Sequence, residues 1–173
     1  EAFFVEDEVK ANIKAINEEN AAKEAAWNTL FENYAKAYPE LAKEWAAWHS
    51  DEEVSLEELY ANYADTSKAL ATRQTSYEII NQIANKVENF VGGSADLAPS
   101  TKTYMEGKGD FQKDSYEGRN LHFGIREHAM AAIANGMAVH GGMKVYCSTF
   151  FVFSDYMKNS MRLAALMNLP VSY

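Results

Sequence analysis

No glycine occurs in the first 70 residues of this chain; all nine lie beyond them. Glycine weakens helix interiors and serves turns and close backbone approaches. A glycine-free stretch interrupted only by Pro39 therefore reads as helix, and the punctuated remainder as shorter, alternating elements. Charge divides at the same point. Residues 1–70 carry 16 acidic and 6 basic side chains, a net of −10, whereas residues 71–173 carry 9 and 10, a net of +1. The sequence predicts an acidic helical linker segment over 1–70 and an α/β domain over 71–173.

The remaining composition excludes several classes. A chain of 173 residues buries roughly 70% of its unfolded surface and needs no disulfide staples. Cys147 is the single cysteine, so an internal bridge is impossible and a secreted disulfide scaffold is excluded. No signal or transit segment is expected, and no run approaches the roughly 18 apolar residues of a membrane span. The net charge of −9 argues against generic nucleic-acid binding. A soluble, cytoplasmic protein is expected.

From Val5 to His49 the chain is rich in Ala, Glu, Lys and Leu, all good helix formers. Ala26, Leu30 and Tyr34 recur at intervals of four, with Trp27 and Phe31 in the same stripe. Pro39 predicts one helix ending near Ala37 and another starting at the proline, with Leu41, Trp45 and Trp48 as its apolar stripe. Ser50 and Ser55 are candidate N-caps, the latter with Glu58 at capping-box spacing. The aromatic stripes either pack helices together, the usual meaning of such spacing, or form an acidic, aromatic interaction surface. No chemistry is visible here.

Beyond residue 70, "SYEIINQIANKV" predicts a helix and "NFVGGSAD" a short apolar run opening into paired glycines. Residues 100–119 predict a long polar loop, a functional suspect. "REHAMAAIANGMAVHG" predicts a helix ended by Gly141, "KVYCSTF" a strand, "FVFSDYMKNSMRLAALMN" a third helix, and residues 170–173 the start of another strand. This alternation is the signature of a parallel sheet flanked by helices, in which ligands bind at the carboxyl ends of the strands. The chain begins without Met and stops inside an apparent strand, so a piece of a longer polypeptide, with a truncated domain, is expected.

Four stretches carry candidate chemistry. In "VGGSADLAPST" the glycines permit close backbone approach, and Ser94, Asp96, Ser100 and Thr101 offer polar contacts; a plain turn is the bland alternative. In "ATRQTS", Arg73 stands before a helix, where it serves either an anion or a surface ion pair. In "FGIREHAM", Glu127 opens an almost uncharged, Ala-rich helix, as a ligand-facing carboxylate or as one merely favoured by the helix dipole. His122 and His128 lack a metal-ligand partner set. In "TFFVFSDY", Phe150, Phe153 and Tyr156 repeat every three residues at a strand-to-helix turn, either as core or as the wall of a site for a ring-shaped cofactor.

Together "ATRQTS", "GGSADLAPST", "RNLHFGIREHAMAAIANGMAVHGG" and "STFFVFSDYMKNSMRLAALMNLPV" closely resemble the middle, pyrimidine-binding domain of the transketolase family, in its order and at its spacing. The resemblance is strong over residues 70–173 and looser over the acidic helices, which are similar to the family's inter-domain linker. It implies the thiamine diphosphate-binding fold of the pyrimidine type. It also implies a homodimer whose active site lies between subunits. By this resemblance Glu127 matches the glutamate that hydrogen-bonds the cofactor's aminopyrimidine and shares a proton with a ring nitrogen. Phe150, Phe153 and Tyr156 match the aromatic pocket around that ring, and Asp96 lies in the loop near the cofactor. Arg73 and Ser100 match residues that hold the phosphate of a sugar phosphate. The implied reaction moves a two-carbon ketol unit from a ketose phosphate to an aldose phosphate.

The family's Gly-Asp-Gly motif for the diphosphate and a divalent metal, magnesium or calcium, is not in this sequence, and neither are the other sugar-contacting histidines. No metal ligand is therefore expected in this segment, and the segment alone is expected to be inactive. Two further readings stay open: another thiamine diphosphate transferase of the dihydroxyacetone synthase type, and a non-catalytic dimerisation module derived from the family. Retention of Glu127 and the three rings argues against the second.

Overall fold

The computed structural model describes residues 3–50, 54–61 and 69–173. The chain divides into two compact units, Glu1–Ala47 and Trp48–Tyr173. In the first, α1 (Asp7–Ala37) ends where expected, with the Tyr38 N–H donating to the Tyr34 carbonyl at 2.8 Å. Pro39 then opens α2 (Pro39–Trp48) at the position where a missing N–H costs nothing. Ring pairs run along the predicted stripe: Trp27 stacks on Phe31 with centroids 5.3 Å apart, and Phe31 reaches Trp45 at 5.7 Å. Yet no residue of α1 or α2 is buried. The rings meet one another without closing into a core, because a two-helix seam offers no further layer to cover them.

The second unit holds the short α3 (Glu57–Ala61), α4 (Thr72–Lys86), β1 (Phe90–Ser94), α5 (Ala98–Thr101), β2 (Asn120–His122), α6 (Glu127–His140), β3 (Lys144–Ser148), a 3-10 helix (Phe151–Tyr156), α7 (Lys158–Leu166) and β4 (Val171–Ser172). The helix α3 starts at Glu57, so Ser55 stands one position too early to cap it. A helix capped by Ser50 would begin on residues 51–53, outside the described residues. The four strands form a parallel sheet in the order β2-β1-β3-β4.

Both faces of the sheet are covered, as parallel strands require. Along β3 the side chains alternate. Val145 and Cys147 enter a core with Met130, Ala131, Ala134 and Met157 from the α6–α7 side, while Tyr146 joins Ala84, Val87, Phe90 and Met105. The rings of Phe90 and Tyr146 stack at 4.8 Å. Gly92 and Gly93 are needed at the centre of β1. A Cβ at Gly92 would collide with the carbonyl oxygen and ring of Tyr146, and one at Gly93 with the carbonyl oxygen of Leu121.

Residues 102–119 form the long loop that the sequence predicts, with no helix or strand between α5 and β2, and side-chain bonds tie it down. Buried Asn120 accepts from the Met105 N–H at 2.8 Å and donates to the carbonyls of Met105 and Gly109, pinning the segment to the edge strand β2. The run from Phe151 to Leu166 is two helices rather than one, a 3-10 turn followed by α7. The three-residue spacing of Phe150, Phe153 and Tyr156 is the period of that 3-10 turn.

Candidate active site at the carboxyl edge of the sheet

Register gathers the candidate residues. Ser94, the last residue of β1, pairs with His122 at the end of β2 and with Ser148 at the end of β3. Three adjacent strands thus stop at one level. The Ala95 N–H donates to the Ser148 carbonyl at 3.1 Å and the Phe123 N–H to the Ser94 carbonyl at 3.3 Å, joining the three exits. Asp96 follows β1, Glu127 follows β2 and Phe150 follows β3, all at this edge.

Helix α4 brings Arg73 to the same edge. Its C-terminal end leads directly into the start of β1, on which it packs, so the helix runs antiparallel to the strand with its first turn toward the strand's exit. A side-chain bond confirms the placement: Lys102 Nζ donates to Gln74 Oε1 at 2.7 Å, tying the loop that carries Ser100 to the turn that carries Arg73.

Glu127 is half-buried as the first residue of α6, where the helix dipole and open backbone amides favour a negative group. The preceding Arg126 turns its Nη1 back to the Phe123 carbonyl at 3.1 Å. Helix α6 packs against the 3-10 helix, so carboxyl and rings stand on neighbouring elements. There Phe153 and Tyr156 stack with centroids 6.2 Å apart and an interplanar angle of 25°, and Tyr156 is 66% exposed. Phe150 stands at the head of this turn, its carbonyl accepting from the Phe153 N–H at 2.8 Å; its ring does not join the pair.

The side chains of Arg73, Asp96, Ser100 and Glu127 make no hydrogen bond or ion pair among the described residues. Asp96 also holds φ at 63°, a left-handed conformation that Asp tolerates better than most residues and that accumulates at ligand-binding loops. The sequence reading missed Thr149, between β3 and the rings. Its Oγ1 is buried and is the sole such side-chain atom without a hydrogen-bond partner among the described residues. A hydroxyl interrupting "YCSTFF" between strand and aromatic run was the available signal.

A carboxyl at a helix start, an open pair of stacked rings and an unsatisfied buried hydroxyl suit a flat, nitrogen-bearing ring. Among the described residues no three His, Cys, Asp or Glu side chains are grouped to hold a metal ion, and no helix is long and apolar enough to cross a membrane. A separate open cleft of about 910 Å³ lies at the opposite edge of the sheet, lined by Asn89, Phe90, Gly142 and Lys144, and contains none of the site residues.

Residues 68–173 match the family described as "Transketolase, pyrimidine binding domain". The chain is 48% identical to a transketolase of Halalkalibacterium halodurans over 99% of its own length and 26% of the relative's. It is 50% identical to one of Geobacillus stearothermophilus over 100% of its own length and 26% of the relative's. Among solved structures, the transketolase of Pichia stipitis in complex with sedoheptulose 7-phosphate superposes with a TM-score of 0.79 at 36% identity, covering 99% of this chain and 26% of that one. The transketolase of Leishmania mexicana superposes with a TM-score of 0.84 at 34% identity, covering the same shares. The chain thus spans about a quarter of the length of the relatives it matches, and with its parallel sheet and carboxyl-edge site it belongs to the transketolase family, as the family's pyrimidine-binding part.

Proposed function

We propose that this chain is the part of a transketolase that receives the aminopyrimidine ring of thiamine diphosphate and grips the phosphate of a sugar phosphate. The observation that carries the reading is the set of polar side chains without partners at one edge of the sheet: Glu127 and Asp96 beside an open aromatic shelf, and Arg73 with Ser100 at the first turn of α4. When bound, thiamine diphosphate supplies the carbon nucleophile and electron sink that move a two-carbon ketol unit from a ketose phosphate to an aldose phosphate.

The chain's own residues supply position and proton control. The Glu127 carboxyl, half-buried at the start of α6, would hydrogen-bond a ring nitrogen of the pyrimidine and share its proton there. Phe150, Phe153 and Tyr156 stack on the ring and exclude water. Asp96 adds a polar contact from the loop after β1. Arg73 offers a bidentate grip on phosphate, and Ser100 adds a hydroxyl. The diphosphate and its divalent metal are held outside this segment, so the segment alone is inactive. The active protein is a cytoplasmic homodimer in this reading. In support of the dimer, Phe151 (93% exposed) and Ile125 (79% exposed) flank the site as uncovered apolar side chains.

The test uses the full-length protein bearing this sequence, with fructose 6-phosphate as donor and an aldose phosphate as acceptor. Two-carbon transfer that requires both thiamine diphosphate and a divalent metal supports the reading. No transfer with both present overturns it.

A further inference from the structure

The loop that carries Ser100 also carries a cation for which neither the sequence motifs nor the proposed chemistry accounts. Lys102 follows the short α5 with φ at 56°, a left-handed conformation that a residue with a Cβ adopts only at a cost. Its Nζ is directed back across the fold to α4, where it donates to Gln74 Oε1 at 2.7 Å and lies 6.0 Å from the centroid of the Tyr77 ring. Gln74 is the immediate neighbour of Arg73. Tyr77 lies one turn further along, on Arg73's face of the helix. The ammonium is therefore tied to the residue next to Arg73, whose guanidinium makes no ion pair among the described residues.

The nearby carboxylates do not neutralise it. Glu78 accepts from Gln74 Nε2 at 3.3 Å, and Glu106 accepts from the Tyr77 hydroxyl at 3.1 Å. Neither forms an ion pair with Lys102 or Arg73 among the described residues. The bond from Lys102 to Gln74 brings a second cation to the helical turn that carries Arg73, and like charges so placed favour an anion nearby. An ammonium held beside the Arg73 turn and a guanidinium without an ion pair among the described residues together suit a doubly charged ligand group.

We infer that Lys102 is a specificity-determining residue that, with Arg73 and Ser100, selects phosphorylated over unphosphorylated sugars. This inference rests on the reading of Arg73 and Ser100 as the phosphate grip. A phosphate monoester near neutral pH carries close to two negative charges, which one arginine matches incompletely.

The experiment compares kcat/KM of the full-length holoenzyme for fructose 6-phosphate and for fructose as donors, with a common acceptor. The ratio of the two values falls about tenfold in K102M and is restored in K102R, the loss expected for one charge-assisted contact. In K102G, which adopts the left-handed backbone without strain, the ratio falls as in K102M; a purely structural helix-end role would preserve it. A ratio unchanged in K102M and K102G but lowered in R73A overturns the role of Lys102 and leaves the phosphate grip intact. A ratio unchanged in all three overturns the grip as well.

Discussion

The backbone N–H of Ala95 donates to the carbonyl of Ser148 across 3.1 Å, one step past the last paired residues of β1 and β3. That bond fixes the spacing between Asp96, the next residue on one side, and Phe150, two residues on along the other. Chains leaving neighbouring parallel strands would otherwise diverge. Here they are held at the level where a ligand sits in such sheets.

The two glycines of β1 make this arrangement possible. In G92A the added methyl meets the backbone carbonyl and the buried ring of Tyr146, and in G93A it meets the backbone of Leu121. Each substitution should cost about 3 kcal/mol or more of unfolding free energy, read as a shift of the urea midpoint of the full-length protein. An unchanged midpoint would contradict the close approach of β1 to its neighbours.

Arg119 closes the C-terminal end of α4. Its guanidinium donates to the carbonyls of Ala84 at 2.6 Å, Val87 at 2.8 Å and Glu88 at 2.6 Å, three acceptors at the negative end of the helix. R119A should lose about 2–3 kcal/mol of stability, and R119K should recover less than half, since an ammonium cannot reproduce the planar fork. Denaturant unfolding of both variants measures it.

Burial pushes the Cys147 thiol up from its ordinary 9.0 to about 12. The folded state therefore disfavours the thiolate. The contribution of this group to stability is complete below pH about 9 and declines as pH rises from there toward 12. Labelling at pH 8 with a thiol reagent, followed at Cys147 by peptide mass mapping, should be slow in the native protein and fast in denaturant. Rapid native labelling would contradict the buried position.

The ring of Tyr156 is exposed, so its proposed role is in binding rather than in folding. Y156A should weaken thiamine diphosphate binding about tenfold, measured by titration with the divalent metal present, while moving the unfolding free energy by less than about 0.5 kcal/mol. A large stability loss would make the ring part of the core instead.

Much of this molecule was legible in the sequence because its signals are local. Pro39 marks the α1–α2 break and Gly141 the end of α6. What escaped depends on partners distant in sequence. The strand β2 is three residues, "NLH", too short for any period, and exists because it pairs with β1. The 3-10 turn was hidden inside a helical pattern whose spacing of three, at Phe150, Phe153 and Tyr156, was visible but read as a helix start. Each candidate residue stands in its own motif. Their convergence follows from the strand order β2-β1-β3, and Lys102 acquires meaning only from its bond to Gln74, 28 positions away.

In the proposed function, Glu127 controls a proton on the cofactor's pyrimidine. The measurement is two-carbon transfer by the full-length protein at saturating thiamine diphosphate and divalent metal, comparing the native residue with E127A and E127D. We predict kcat lower by at least about a hundredfold in E127A, with partial activity in E127D, whose carboxyl falls about one methylene short. An E127A protein that folds, binds the cofactor and turns over within about threefold of the native rate would contradict it.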